Sequence, residues 1–406
     1  MKIKKWIVEF DFGLLVLLFL SITVLPVIRI SGLPAIGIEE LLMPIILFRI
    51  FKLKLFKPTI YTIVILSFTA YILLTIFVNK RYASLQDYFE IYKMGKFLMV
   101  LLFSQHVFKM YQKEFIVLLK LVFSYLLVFN LLHYFNVFRF NEIVMPYFSL
   151  SEIHLAYFGL DSLGNPAGKR MIGTMSNPNV NAIFFLFFYT FFLVLYGKNG
   201  TLKQQLWFYL PFMCVLLTQS RTGFISLSVL TLFWFIYNQY SLKKMGVSLL
   251  FFALFIGIAY LLNAYSLVYY TKSNFNVMQN TSMLGRYEVW QHLLEMIIQK
   301  PFLGYGPNKN YFYENRLHAE NEYILYQWRY GIFGLLFYFS WILTPLKKLN
   351  LKFKENSQLI LFVIVILVNS ITNLPLSNPV LLLMFAISVG YYFALNELKE
   401  KELENV

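Results

Sequence analysis

Residues 282–334 read SMLGRYEVWQHLLEMIIQKPFLGYGPNKNYFYENRLHAENEYILYQWRYGIFG. Trp290, Leu293, Leu294 and Ile297 recur at i, i+3, i+4 and i+7, with Arg286, Gln291, His292, Glu295 and Gln299 at other positions, so the stretch opens on an amphipathic helix. Ser282 is its expected N-cap and Pro301 its stop. Gly304, Gly306 and Pro307 mark a turn, an aromatic run follows, and His318, Glu320, Asn321 and Glu322 stand just before the chain becomes apolar again. A cation followed by a His/Glu cluster, both at the edge of hydrocarbon-rich sequence, implies a polar loop lying against a membrane.

The rest of the chain supplies that membrane setting. Of 406 residues, 59% are hydrophobic and only 14% charged, and the mean hydropathy is +0.63, a composition that excludes a water-soluble globular domain. A spanning helix takes about 20 apolar residues. Runs of that kind fall near 12–28, 34–51, 59–78, 90–108, 115–136, 179–196, 205–219, 222–238, 246–264, 323–344, 358–374 and 378–395. Glu39, Glu40 and Arg49 interrupt the second, and Lys93 and Lys96 the fourth. The expectation is an all-α polytopic integral membrane protein of about twelve transmembrane helices, residues 1–406 forming one membrane domain.

Charge sets the expected orientation. Lys2, Lys4 and Lys5 precede an uncleaved first helix. Alternate loops then carry Lys52, Lys54 and Lys57; Lys109 and Lys113; Lys198 and Lys203; Lys243 and Lys244; and Lys347, Lys348, Lys352 and Lys354, with Arg29, Lys80 and Arg81 as the awkward cases in the short loops opposite. Basic loops mark the cytoplasmic side, so both termini are expected inside, and the net charge of +15 reports topology rather than nucleic-acid binding. Two long loops, 137–178 and 265–322, and the turn Ser220–Gly223 fall on the outer face. Asn396–Val406 reads as a polar tail that frays. The single cysteine, Cys214, excludes an intrachain disulfide framework and a cysteine metal site.

The candidate chemistry gathers on that outer face. Arg221 in TQSRTG lies between two apolar runs, Arg286 sits near the start of the amphipathic helix where free amides also favour an anion, and Arg316 and Arg329 lie on or near the same side. Arginine's planar fork matches phosphate oxygens two at a time, although an arginine at a helix end also snorkels to headgroups. Arg170, close to Asn177, Pro178 and Asn179, is a third candidate for an anionic ligand. His318, with Glu320 and Glu322 two and four residues beyond it, could accept a proton from a hydroxyl near neutral pH. The only Asp residues are Asp11, Asp87 and Asp161, so no Asp-x-Asp metal site can be built, and there is no P-loop, dinucleotide turn or serine-hydrolase elbow. A metal-free, cofactor-free reaction on a lipid-linked diphosphate suits this set.

The same residues resemble the O-antigen ligase and polymerase superfamily of bacterial inner-membrane glycosyltransferases. The resemblance rests on SNPNVNA at Ser176–Ala182, LLTQSRTGFISL at Leu216–Leu227, GRYEVWQHLLEMIIQKPFLGYG at Gly285–Gly306 and HAENEYILYQWRYGIFG at His318–Gly334. It implies a bundle of ten to fourteen helices with a large outer loop, and transfer of a glycan from undecaprenyl diphosphate in the bacterial cytoplasmic membrane. A flippase and a chain-length regulator are the accessory partners it suggests. Carried over, Arg221 and Arg286 bind the diphosphate, and the base is His318 or Glu320, since the family's histidine stands directly before Asn and here Glu320 precedes Asn321. The modest, aromatic outer loops favour a glycan acceptor, hence polymerisation of a surface polysaccharide; a ligase and, from another class, a flippase or transporter are the alternatives. Lys120, inside the fifth span, is the feature that speaks most for a transporter.

Overall fold

The computed structural model describes residues 2–28, 36–80, 83–148, 170–197, 200–237, 246, 250, 253–254, 256–257, 281–315, 317–348 and 357–404. Among them the named elements are all helical, and the β content is one isolated bridge between Ile28 and Ile36. The helices longer than one turn are α1 Lys2–Thr23, α2 Ile38–Lys52, α3 Ile60–Val78, α4 Phe89–Phe108, α5 Gln112–Phe135, α6 Pro178–Tyr196, α7 Leu202–Thr218, α8 Arg221–Tyr237, α9 Thr281–Gln299, α10 Lys309–Glu314, α11 Glu322–Leu343, α12 Ser357–Asn369 and α13 Pro379–Glu404. Four of these, α3, α5, α6 and α13 as far as Glu400, are long and apolar enough to cross a membrane, and α8 and α12 are shorter apolar helices. Leu66, Leu74 and Phe77 on α3, and Val117, Leu121 and Val128 on α5, are exposed, which is the outward apolar surface that lipid contact requires. The protein is an integral membrane protein. Most of the expected ninth span, 246–264, lies outside the described residues, as do 149–169 and 265–280 of the two long loops and Arg316.

The described chain divides into two compact units, Met1–Pro44, Val107–Phe275 and Lys352–Asn369 in the first, and Ile45–His106, Asn276–Leu351 and Ser370–Val406 in the second. In the first, α6 is the central element. Its sequence is apolar all round, and such a helix is stable only when enclosed. Ala182 through Tyr189 are all fully buried, with Phe187 packed 5.3 Å from the Phe362 ring and Phe188 5.5 Å from Phe123. Polar residues in this core find partners: Asn181 Nδ2 donates to Asn130 Oδ1 at 3.0 Å and to the Met171 carbonyl at 3.1 Å, and Asn369 Nδ2 donates to Ser226 Oγ at 2.8 Å. The ammonium of Lys120 lies 5.0 Å from the Tyr196 ring centre and 5.6 Å from Trp207, so an aromatic cage accounts for this charge without any transported ligand. Lys120→Met is accordingly expected to cost about 0.5–2 kcal/mol of stability, read as a lower melting temperature; an unchanged melt would show that the cage does not hold this charge.

In the second unit α3 packs against α11, with Phe68 set among Tyr326, Phe337 and Trp341. Here the expected straight span over 323–344 is corrected. The hydroxyl of Tyr338 donates to Glu322 Oε2 at 2.9 Å, and the Tyr326 and Tyr338 rings are 4.5 Å apart. Sixteen residues of unbroken helix would separate Glu322 from Tyr338 by about 24 Å. The chain instead turns back at Gly331, whose φ of 63° and ψ of −166° break α11 into two halves.

The broken backbone is repaired by the turn that follows α9. Tyr305 N–H donates to the Trp328 carbonyl at 3.0 Å, Gly306 N–H to that of Arg329 at 2.7 Å, and the Tyr71 hydroxyl to that of Tyr330 at 2.7 Å, while Ile332 N–H donates to the Pro301 carbonyl at 2.8 Å. Buried backbone groups left open by a helix break must be satisfied, above all near lipid. This explains the spacing in KPFLGYGP. Gly304 has φ +64°, and a Cβ there would lie 2.6 Å from the Arg329 carbonyl. A second correction concerns the C-terminus: α13 continues to Glu404, so the polar stretch from Asn396 is helical through 404 rather than frayed, and Gln105 Nε2 bonds Glu397 Oε1 within the same unit.

Candidate functional site

In the second unit the segment between α10 and α11 is fixed residue by residue. Ala319 is buried and its carbonyl accepts from the Trp290 indole N–H, which ties the segment to α9. Asn321 Oδ1 accepts from Ile324 N–H at 3.0 Å, the N-cap of α11. Between these fixed points Glu320 takes a left-handed conformation, φ 43°, uncommon for a residue with a side chain. Its carboxylate accepts from Nε of Arg286, forming an ion pair that joins one turn of α9 to this segment. The Arg286 side chain is mostly buried and that of Glu320 partly open, so the pair sits at an accessible edge. His318 is exposed. The sequence pattern put Arg286 and Glu320 in separate roles; the structure brings them together, with His318 two residues away along the chain.

Glu322, fully buried, does something different. Its Oε1 accepts from Ser377 N–H at 2.7 Å and Ser377 Oγ at 2.9 Å; its Oε2 accepts from Tyr338 OH at 2.9 Å, Leu376 N–H at 3.1 Å and Ser370 Oγ at 3.3 Å. It anchors the start of α11 to the 370–377 loop and to the returning half of its own helix. Arg329, expected among the outer arginines, is committed as well: with Lys93 and Lys309 it surrounds the buried carboxylate of Glu90, at 3.6 Å, and its guanidinium lies 5.7 Å from the Phe312 ring. The same cluster accounts for Lys93 within an apolar run. His292 pairs with the Tyr311 hydroxyl at 2.9 Å.

In the first unit, Arg170 and Arg221 belong to one local structure. Gln219 takes φ 53° to end α7, Ser220 Oγ accepts from Gly223 N–H at 3.2 Å, and Arg221 opens α8 as an exposed side chain. Arg170 Nε donates to the Thr218 carbonyl at 3.0 Å, and its terminal nitrogen donates to the Gln219 carbonyl at 3.3 Å and to Asn179 Oδ1 at 3.0 Å. Arg170 thus clamps the turn that presents Arg221. Asn177 caps α6, accepting from Asn179 and Val180 N–H, which gives the SNPNVNA motif a structural reading: cap, first-turn proline, clamp partner and buried Asn181. Groups of three or more metal-ligating side chains do not occur among the described residues.

The polar turn before α8, the α9 helix with its glycine turn, and the His318–Gly334 segment all lie within one stretch that a family model matches, residues 206–339, described as O-antigen ligase. This part of the chain is similar to the O-antigen ligase family. It holds Arg221, Arg286, His318 and Glu320; Arg170 lies outside it. The chain is also similar to the "ComP-specific O-oligosaccharyltransferase" of Acinetobacter baylyi (strain ATCC 33305 / BD413 / ADP1), with 26% identity over 145 residues, 34% of this chain. That match spans about a quarter of the relative's length, 26%.

Proposed function

We propose that this protein transfers a glycan from a lipid-linked diphosphate donor to a hydroxyl acceptor, as an O-antigen ligase-type glycosyltransferase working at the outer face of the bacterial cytoplasmic membrane. The Arg286–Glu320 pair, inside the family-matched segment, carries this reading. An arginine that holds a carboxylate offers the same fork to a phosphate oxygen, at about 1.5–3 kcal/mol per charge-assisted contact. When the donor's diphosphate takes Arg286, Glu320 is released as a carboxylate beside the reacting sugar. The acceptor oxygen then attacks the anomeric carbon, its proton passes to Glu320 or His318, and the bond to the lipid diphosphate breaks. Arg286 offsets the charge growing on the leaving phosphate; Arg221, at the turn that Arg170 clamps, is proposed separately as a phosphate-binding side chain.

Ligase-type transfer is preferred to polymerisation because the matching family is described as O-antigen ligase and the similar protein is named an O-oligosaccharyltransferase. The test is deletion of the gene in its host, with the surface glycan resolved by size and lipid-linked intermediates extracted in parallel. A full ladder stranded on the lipid diphosphate is the expected result. Single repeats reaching the surface without a ladder would identify a polymerase, and repeats trapped on the cytoplasmic face would overturn the transferase reading in favour of a transporter.

A further inference from the structure

The surface of α9 divides into three sectors rather than two. At about 100° per residue, Arg286, Val289, Trp290, Leu293 and Ile297 form one flank; Leu293 and Ile297 are buried against Ala319, Leu325 and Trp328, and Val289 packs on the same cluster. Glu288, His292, Glu295 and Gln299 form a second flank, all exposed. The third flank carries Leu284, Tyr287, Leu294 and Ile298, apolar yet 45%, 64%, 44% and 78% exposed, with Gln291 as the one polar residue among them. An apolar arc of roughly 80° beside a polar arc of similar width, with protein behind both, is the profile of a helix at a water–hydrocarbon boundary.

The apolar flank also leads somewhere. Just past the end of α9, Phe302 is 62% exposed, and its ring stands 6.1 Å from Phe333 on the returning half of α11, where Phe333 and Leu336 are exposed in turn. The lane on α9 is therefore continuous with the exposed apolar side of α11, which packs on α3, a helix long and apolar enough to cross a membrane. We propose that α9 is an interfacial helix seated in the plane of the bilayer, with Tyr287, Leu294 and Ile298 in contact with lipid acyl chains and Glu288 and Glu295 in water. A helix so seated fixes the depth of Arg286, and so holds that guanidinium at the level of lipid headgroups. This inference stands whichever acceptor the enzyme uses.

The test places single cysteines at Leu294, Ile298, Glu288 and Glu295 in the full-length protein in lipid nanodiscs, each carrying an environment-sensitive fluorophore. Cys214 is buried and stays unlabelled in the folded protein. The expected result is blue-shifted emission at Leu294→Cys and Ile298→Cys, quenched severalfold more by nitroxide-bearing acyl chains than emission at Glu288→Cys and Glu295→Cys, which aqueous iodide quenches instead. Iodide reaching all four positions alike would overturn the proposal. So would quenching of Leu294→Cys and Ile298→Cys only by acceptor-labelled copies of the same protein, which would assign the lane to a second protomer. Ile298 is the most exposed of the four apolar residues, so its replacement removes no packed side chain and reports even if Leu294→Cys fails to fold.

Discussion

An Arg286→Ala variant is expected to lose glycan transfer by about 10²–10³, the cost of removing one donor aimed at developing negative charge. The loss is chemical in origin. Arg286 contributes little to the core: the packing on its flank of α9 comes from Leu293 and Ile297, and its ion-pair partner Glu320 is partly exposed, where such a pair contributes roughly 0–1 kcal/mol. The variant should therefore reach normal abundance in the membrane while the acceptor stays unglycosylated. Arg286→Lys keeps the charge and loses the fork, so it should recover only part of the rate. Glu320→Gln separates the two roles of the carboxylate. A base contributes about 10²–10⁴ in rate, so Glu320→Gln should be nearly inactive while Glu320 serves as base, whereas a carboxylate that merely occupies Arg286 would leave activity intact or tighten donor binding once removed. His318→Ala read beside it assigns the proton acceptor. Normal glycan from Arg286→Ala, at normal protein level, would remove the diphosphate role from this residue.

The sequence made the membrane class and the chemical neighbourhood legible because both are carried by local signals. Apolar run length marks α3, α5, α6 and α13, and arginine against lysine usage drew attention to Arg221 and Arg286. The amphipathic period of α9 was equally readable, yet period alone assigned Leu294 to the core face with Leu293. Burial divides them: Leu293 faces the Trp328 cluster and Leu294 the outside. What could not be read locally were roles set by long-range partners. Glu322 read only as a carboxylate near His318, and the loop at 370–377 shows it as an anchor. Arg329 resembled an outer phosphate ligand until Glu90, far away in sequence, claimed it. Arg170, a candidate for an anionic ligand by sequence, also holds a turn. One signal was available in principle. Gly304 in a turn and Gly331 inside an apolar run announce close backbone approach, and the approach is between those two segments.

That approach leads to the largest expected effect on folding. The break at Gly331 is held from two sides, by the 301–306 turn and by Glu322. In Gly331→Val a β-branched residue would have to adopt φ 63°, and its Cβ would lie 2.1 Å from the Phe302 carbonyl oxygen, so the turn cannot stay docked. Strain of about 1–3 kcal/mol is then joined by up to three backbone groups that lose their partners at about 1–3 kcal/mol each: the carbonyls of Trp328 and Arg329, which lose their donors, and Ile332 N–H, which loses the Pro301 carbonyl. The sum approaches the whole stability margin of about 5–15 kcal/mol of an ordinary domain, and the variant is expected to be absent from the folded fraction on size-exclusion chromatography. Glu322 offers the subtler test, because glutamine matches glutamate in shape but not in polarity. All five groups around the Glu322 carboxylate present hydrogens, two at Oε1 and three at Oε2. A carboxylate accepts at both oxygens, whereas an amide must turn its own N–H₂ toward one set. Glu322→Gln is therefore expected to be markedly less thermostable than the parent, close to Glu322→Ala, while Glu320→Gln stays as stable as the parent. A Glu322→Gln variant melting with the parent protein would show that the five-donor cradle does not hold α11 folded, and the returning half of the helix would need another anchor.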